Sequence, residues 1–363
     1  MRLAAGQERI VSGDHREVRK VQFTGRSTYV LSLPKKWIEE MHVKAGDQVT
    51  LVREADNSLS ILPFSPGPAE SLAEATALIM AGEGRNSLKR KVVSMYLAGY
   101  NVIQLKLKAG RMDPGMRDAV REVVRRNLVG TEMIADASDM ITLQVLLSLP
   151  ELSVNTALRR MYLIALSMHK DSKTALSELN QDLAREVIKS DDEVDRFSLY
   201  VLRNLVMATQ NGRVLREMGL KQASDCLSYR VAVKSIERIA DHACGIAEVA
   251  IKLKEKVPKE TMQKVEKMSF LAQTVLGDSV ESLLRRDYQL ADKTVEAVEK
   301  IHALEEEAAA SIDKERVKDS VNIKLVLEDL RRMAEYASDI CEAALNETID
   351  EVIEKRSSPK SRQ

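Results

Sequence analysis

The chain has 363 residues, more than one hydrophobic core usually supports, and this length predicts two or three domains. Lys plus Arg and Asp plus Glu each number 55, so no overall field directs the protein to nucleic acid or membrane, and only local charge can. One Trp, eight Tyr and four Phe are too few for a platform that stacks RNA bases.

The N-terminal part of the chain predicts a small β domain. Residues 1–15 have no pattern and are expected to form a flexible arm. Residues 16–63 contain four short segments of alternating apolar and polar residues, which predict strands, and a short helix that begins at Pro34. A unit of this size buries too little apolar surface to be stable alone, so we expect it to pair with a second copy.

The segment TGRSTYVLSLPKKWIEEMHVKAGDQVTLV resembles the AbrB-type swapped-hairpin domain in its order of strand, Ser-Leu-Pro, short helix, Ala-Gly-Asp and strand. The resemblance implies a homodimer of interleaved hairpins that binds DNA. Six basic residues against one acidic residue, Glu17, lie between positions 16 and 36 and are the candidate phosphate contacts. They are Arg16, Arg19, Lys20, Arg26, Lys35 and Lys36. The alternative is a solvated edge strand protected by charge.

Residues 64–152 predict an α/β connecting module. It begins with a proline-rich linker, and its predicted elements are a helix at 88–97, a strand at 102–107, a helix at 114–128 and strands at 131–135 and 140–147. Gly82-Glu83-Gly84 is not expected to bind a nucleotide, because no strand is predicted before it and no GxxxxGK[ST] motif occurs.

The rest of the chain is helical and repeats itself. Helices are predicted at 154–179, 182–209, 222–254, 259–285, 290–312 and 321–353, which makes two sets of three. Ser235–Glu248 and Asp329–Glu342 are identical at five of fourteen positions. We therefore predict two tandem three-helix bundles, repeat 1 at 153–256 and repeat 2 at 257–355, followed by a basic tail at 356–363. The fold class is α+β and multidomain, with a mainly α C-terminal region.

Four carboxylates in repeat 1 form the candidate site. Asp191 and Asp195 interrupt the apolar stripe of the second helix, and Glu237 and Asp241 lie four residues apart on the third. Short connections make neighbouring helices antiparallel, so the two pairs can face each other. A carboxylate at a core-facing position must be paired, protonated or bound to metal. Oxygen ligands favour Mg, Mn or Fe, with Zn less favoured; the alternative is ion pairing with Arg196, Arg203, Arg230 or Arg238.

The motifs DDEVD and ERIADHA resemble those of the PhoU phosphate-uptake regulator family. The resemblance implies two three-helix repeats with an acidic pair on each of two helices, which bind iron or zinc clusters. Repeat 2 departs from this pattern, because Ile301 aligns with Asp191 and Arg331 with Glu237. Glu305 and Glu335 remain, so we predict a metal site in repeat 1 alone and an ion pair between Arg331 and one of these acids in repeat 2.

Together these features predict a phosphate-responsive, metal-binding transcriptional regulator rather than an enzyme. One alternative is an adaptor that docks on a phosphate transporter or a sensor kinase without binding DNA. A ferritin-like di-metal oxidoreductase needs two Glu-x-x-His pairs, and the chain has one, Glu299–His302. Cys226, Cys244 and Cys341 are widely spaced, and no apolar run is long enough for a membrane span, which predicts reduced thiols and a cytoplasmic protein without membrane insertion.

Overall fold

The computed structural model describes residues 16–25, 27–53, 58–64, 73–147 and 152–353. The chain divides into two compact units, Met1–Glu70 and Ser71–Gln363. The predicted arm at 1–15, the basic tail at 356–363 and Arg26 lie outside the described residues. The predicted class is confirmed, because a small β region precedes an α/β module and a mostly helical region.

The first unit consists of two antiparallel hairpins and a short helix. Its elements are β1 (Gln22–Thr24), β2 (Thr28–Val30), α1 (Lys35–Glu40), β3 (Val49–Arg53) and β4 (Leu59–Pro63), with β1 paired to β2 and β3 to β4. Pro34 is the one fully buried residue among those described in this unit. Apolar strand residues such as Tyr29 (71% exposed) and Leu51 (66% exposed) face solvent. The single copy therefore has almost no core.

The second unit begins with the α/β module. Its elements are β5 (Glu74–Ile79), α2 (Arg85–Leu97), β6 (Val102–Leu107), α3 (Pro114–Asn127), β7 (Thr131–Asp136) and β8 (Met140–Val145). The strand order is β5-β6-β8-β7, with β5 parallel to β6 and the other pairs antiparallel. Apolar side chains from β6, β8, α2 and α3 form the core of the module.

Strand β5 contradicts the expectation that no strand precedes Gly82-Glu83-Gly84. Its alanines have low β-propensity, so the sequence signal was weak. Even with this strand before it, the Gly82–Gly84 loop does not resemble a phosphate-binding loop. The Glu83 carboxylate accepts hydrogen bonds from Ser87 Oγ (3.0 Å) and Lys91 Nζ (2.9 Å), and the Lys91 bond is the main cause of its lowered pKa.

The helical region follows in the same unit. Its first bundle contains α4 (Val154–Glu178), α5 (Gln181–Gln210), a short α6 (Gly212–Glu217) and α7 (Asp225–Lys252). The second contains α8 (Lys259–Arg285), α9 (Tyr288–Val298), α10 (Lys300–Glu315) and α11 (Ser320–Thr348), followed by a 3-10 turn at Ile349–Glu351. The predicted helix at 290–312 is therefore two helices, and α6 was not predicted.

The two bundles share local details as well as a helix order. Side-chain oxygens of Asn180 and Asp287 cap α5 and α9, each accepting a backbone N–H bond of 3.0 Å. The preceding helices α4 and α8 both end on a residue with positive φ, Leu179 and Arg286. One continuous apolar core runs through both bundles. No helix in the described ranges is long and apolar enough to cross a membrane.

Candidate metal site in the first helical repeat

The four predicted carboxylates of repeat 1 lie on facing parts of α5 and α7, and we call them the acid cluster: Asp191, Asp195, Glu237 and Asp241. The two helices are joined across the cluster by a hydrogen bond from Ser198 Oγ to Glu237 Oε2 (2.9 Å). Asp191 and Asp195 are less buried than their position in the apolar stripe predicted. They lie at the edge of the stripe that borders solvent, where Ile188 is 36% exposed. Three of the four carboxylates are half-buried, Asp191, Asp195 and Glu237, and Asp241 is exposed.

The members of the cluster change one another's proton affinity. Burial, followed by the charges of Asp195 and Asp241, raises the pKa of Asp191 to about 7. Burial, followed by Glu237 and Asp241, raises the pKa of Asp195 to about 6. The pKa of Asp241 is also raised, first because its carboxylate is partly shielded from water by the cluster and then by the charge of Glu237. Carboxylates that repel one another in this way are a site where bound positive charge is stabilised.

Cys244 lies next to the acid cluster and was not predicted as a neighbour. Burial, with the nearby charges of Asp191 and Asp241, raises the pKa of its thiol to about 12. In the metal-free protein Cys244 is therefore a protonated thiol at neutral pH, and a metal that bound it would have to displace this proton. Cys244 follows Asp241 by three residues on α7, and this helical spacing could have predicted that the two side chains are neighbours.

The four arginines considered as ion-pair partners do not neutralise the cluster. Arg238 lies over the Tyr336 ring (5.2 Å to its centroid), and Arg196 contacts Glu193 at 4.0 Å. Arg203 turns away to the α/β module. The cation that does reach the cluster is Lys234, one turn before Glu237 on α7, which forms an ion pair with Glu237. Arg230 lines a separate groove along α7 and α11.

The donor set suits a hard cation, but the side chains are not closed around one. Asp191 Oδ1 is buried and has no hydrogen-bond partner, a state that is costly for a carboxylate oxygen. Within the described ranges, however, no three His, Cys, Asp or Glu side chains are arranged as metal ligands. Binding at the cluster therefore requires side-chain rotation, and Glu237 must also release Lys234.

Repeat 2 carries the predicted ion pair in place of an acid cluster. Arg331 Nε lies 3.1 Å from Glu305 Oε2, and the same guanidinium pairs with Glu335. Ile301, which aligns with Asp191, is completely buried. The prediction is confirmed and extended, because Arg331 bridges both acids rather than choosing one.

His242 faces the second bundle and not the acid cluster. Its Nδ1 lies 2.8 Å from Asp329 Oδ1 on α11, and its ring stacks on Tyr336 with 5.6 Å between centroids. Gly245 follows one turn later, where a Cβ atom would come within 2.9 Å of the Asp329 carboxylate. A larger residue at this position would displace the carboxylate that joins α7 to α11.

The five basic candidates that the structure describes in the first unit are exposed, and several have acidic neighbours. Arg19 pairs with Glu17. On α1, Lys35 lies 3.5 Å from Glu39 and Lys36 lies 3.9 Å from Glu40, with both lysine side chains more than four-fifths exposed. Arg16 and Lys20 are exposed as well. Weak exposed pairs of this kind can be exchanged for contacts with phosphate groups.

Comparison with known proteins identifies both regions. The PhoU domain matches residues 158–250 and 265–344, one match for each bundle, and the MazE bacterial antitoxin family, described as antidote-toxin recognition, matches residues 22–67. The helical region of the chain is of the PhoU type. The MazE match agrees with the AbrB-like resemblance of this segment.

Relatives of this chain cover its helical half. It is 29% identical over 169 residues to the phosphate-specific transport system accessory protein PhoU homolog of Aquifex aeolicus, covering 44% of this chain and 72% of the relative. It is 23% identical over 194 residues to homolog 1 of Thermotoga maritima, covering 52% and 82%. The solved PhoU structure from Pseudomonas aeruginosa is 20% identical, with a TM-score of 0.48 over 53% of this chain and 93% of that chain.

Proposed function

We propose that this protein is a phosphate-responsive regulator in which the PhoU-type helical region controls DNA binding by the N-terminal unit. The relatives named above are accessory proteins of phosphate-specific transport, which supports the phosphate connection. The MazE-like match and the exposed basic residues support the DNA-binding role. The observation that carries the proposal is the asymmetry of the repeats, with an acid cluster that Lys234 neutralises only in part in the first and an ion pair in the second.

The acid cluster is proposed as the metal site of repeat 1, with Fe, Mn, Mg or Zn as the cation. Asp191, Asp195, Glu237 and Asp241 would hold it, and Asp191 Oδ1 is the oxygen that lacks another partner. The pKa values of Asp191 and Asp195 are raised because their negative charges lie among other carboxylates with little positive charge nearby. A bound cation would supply that positive charge. Cation occupancy would then change the charge between α5 and α7.

The first unit is proposed to form the homodimer. Its hairpins expose Tyr29, Leu51 and Leu59, which are 71%, 66% and 70% exposed in the single chain. Large exposed apolar side chains on a unit without a core indicate a surface that is covered in the functional state. A second copy of the same hairpins would cover it and would bring two sets of basic residues together.

The adaptor hypothesis remains the second candidate, because the relatives are named as accessory proteins of a transport system. It differs from the regulatory proposal in having no need of the basic N-terminal unit. The ferritin-like alternative gains no support, since Glu299 and His302 are exposed at the junction of α9 and α10.

DNA binding by the full-length protein tests the proposal. We expect binding to a duplex DNA to weaken steeply as salt rises, because phosphate contacts release counterions. The double variant Arg19→Ala/Lys20→Ala should weaken binding about tenfold or more and reduce the salt slope by about one or two. The control Lys170→Ala, an exposed lysine on α4, should bind normally.

Fluorescence anisotropy measures this affinity, and chromatin mapping under phosphate starvation finds the sites in cells. Occupancy that changes with phosphate supply would support the regulatory role. No binding to any duplex at low salt would contradict it and favour the adaptor hypothesis.

A further inference from the structure

A pocket of about 380 Å³ lies where the α/β module meets repeat 1, and no residue of the acid cluster lines it. It is bounded by α3, by β7 and the turn before it, and by α5. Three arginines line it, Arg121 and Arg125 from α3 and Arg196 from α5, together with Thr131 and Glu132 of β7. We call it the arginine pocket. Its volume is in the range of small-ligand sites.

The positive charge of this pocket is only partly compensated. Arg121 is neutralised outside the pocket by Asp136 (2.9 Å) and Asp118 (3.3 Å). In the part of the chain that the structure describes, Arg125 forms no ion pair, whereas the neighbouring Arg126 lies 3.5 Å from Glu122. Among the same residues, Arg196 reaches the carboxylate of Glu193 alone, at 4.0 Å. Glu132 is thus the single acidic side chain in the lining, against three guanidinium groups.

Arg196 also carries an unsatisfied donor. Its Nε is buried and lacks a hydrogen-bond partner. Buried N–H groups of charged side chains are normally satisfied, and this N–H is available to donate to an acceptor in the pocket. The acceptor that suits guanidinium groups from two directions is a planar or tetrahedral oxyanion, because each fork donates two parallel hydrogen bonds.

We propose that the arginine pocket binds a small molecule through its phosphate group, held mainly by Arg125 and Arg196. Inorganic phosphate and the phosphate of a nucleotide share this chemistry. Occupancy of the pocket requires neither metal at the acid cluster nor DNA at the N-terminal unit.

The bound anion would link two parts of the second unit. Arg125 belongs to the module, whereas Arg196 follows Asp195 directly on the helix that carries half of the acid cluster. One residue further along α3, Arg126 already contacts Asp192 of α5 across the same junction, at 3.8 Å. An anion between Arg125 and Arg196 would add a second link beside this one, so binding should raise the melting temperature of the protein.

Isothermal titration of the full-length, chelator-treated protein tests the proposal. The ligands are sodium phosphate, AMP and ATP at constant ionic strength, with sodium chloride as the reference. We expect saturable binding of at least one phosphate compound, weakened about tenfold or more by Arg125→Gln and by Arg196→Gln. The strongest of the three ligands identifies the source of the phosphate group. Arg125→Lys should bind weakly, since it keeps the charge but loses the fork.

Arg90→Gln is the control, because it removes an exposed arginine of α2 that does not line the pocket. It should bind like the natural protein. Arg125 is exposed, so its variant tests the pocket even if Arg196→Gln does not fold. No saturable heat from any of the phosphate compounds up to about 10 mM would overturn the proposal. Equal weakening by Arg125→Gln and Arg90→Gln would also overturn it, since that result indicates general surface charge.

Discussion

At the scale of single residues, the negative charges of the acid cluster repel one another. Asp191 and Asp195 have pKa values raised to about 7 and about 6, with burial as the largest cause and the neighbouring carboxylates next. Near neutral pH these groups are partly protonated in the metal-free protein. A proton and a metal ion therefore compete for the same oxygens, and metal binding should strengthen as pH rises.

The raised pKa values predict how stability depends on pH. Between the ordinary aspartate pKa, about 4, and the folded value of Asp191, about 7, the folded protein binds more protons than the unfolded chain. Stability of the chelator-treated protein should therefore fall as pH rises through this window. Asp191→Asn should flatten the fall and stabilise the protein at pH 8 by on the order of 1 kcal/mol, allowing for screening at a half-buried site.

Urea unfolding at several pH values measures this effect. The exposed control Asp292→Asn should keep the pH dependence of the natural protein. A natural protein whose stability rises from pH 5 to pH 7 while Asp191→Asn stays unchanged would contradict the assignment.

Residue types at helical spacing were sufficient to predict which acids form the cluster and how repeat 2 differs from it. The pairing of Arg331 followed from charge alone, because an arginine between two acids on facing helices has few other partners. The partners of the arginines in repeat 1 could not be predicted. Arg203 and Arg238 are long side chains whose direction depends on what the neighbouring module and bundle offer.

At the scale of elements, one arginine joins the α/β module to the helix of the acid cluster. Arg203 of α5 is 3% exposed and donates hydrogen bonds to Tyr100 O (2.9 Å), Gly99 O (3.1 Å) and Asn101 Oδ1 (2.6 Å) at the end of α2. Its guanidinium also lies 4.9 Å from the centroid of the Tyr96 ring. Arg203 therefore joins α5 to the segment that directly follows α2.

Replacing this arginine should separate the two elements. Arg203→Met removes several charge-assisted hydrogen bonds to buried carbonyl groups and should lower the free energy of unfolding by about 3 kcal/mol. Arg203→Lys should recover little of this, because one ammonium group cannot reach the same set of acceptors. Chemical denaturation measures the loss, with the exposed Arg230→Met as control. A loss below about 1 kcal/mol for Arg203→Met would show that the contact contributes little.

Periodicity predicted the long helices well because each buries one broad apolar face. Periodicity failed where a local feature of the chain, and not the apolar face, sets where a helix begins or ends. The break between α9 and α10 falls at residue 299, inside a continuous amphipathic pattern, and α6 is a single short helix in a connection. Strand β5 was missed because an alanine-rich edge strand has neither strong β-propensity nor a bulky apolar face.

At the scale of the whole molecule, the first unit should exist as a dimer. Leu51 is 66% exposed on β3 although its strand is paired with β4. Sedimentation velocity should give twice the chain mass for the natural protein and a shift toward monomer for Leu51→Glu. Leu163→Glu, an apolar residue of α4 that is 55% exposed, is the matched control and should leave the dimer intact. A monomeric natural protein at micromolar concentration would contradict the proposed dimer.

We expect the first repeat to bind metal and the second repeat not to bind it. The most direct test is elemental analysis of the purified full-length protein and its variants after reconstitution with Fe, Mn, Mg or Zn. We predict bound metal in the natural protein, a loss of at least half in Asp191→Asn and Asp241→Asn, and no change in Glu335→Gln, which alters the corresponding acid of repeat 2. Equal metal loss from Glu335→Gln, or no metal in the natural protein, would contradict this expectation.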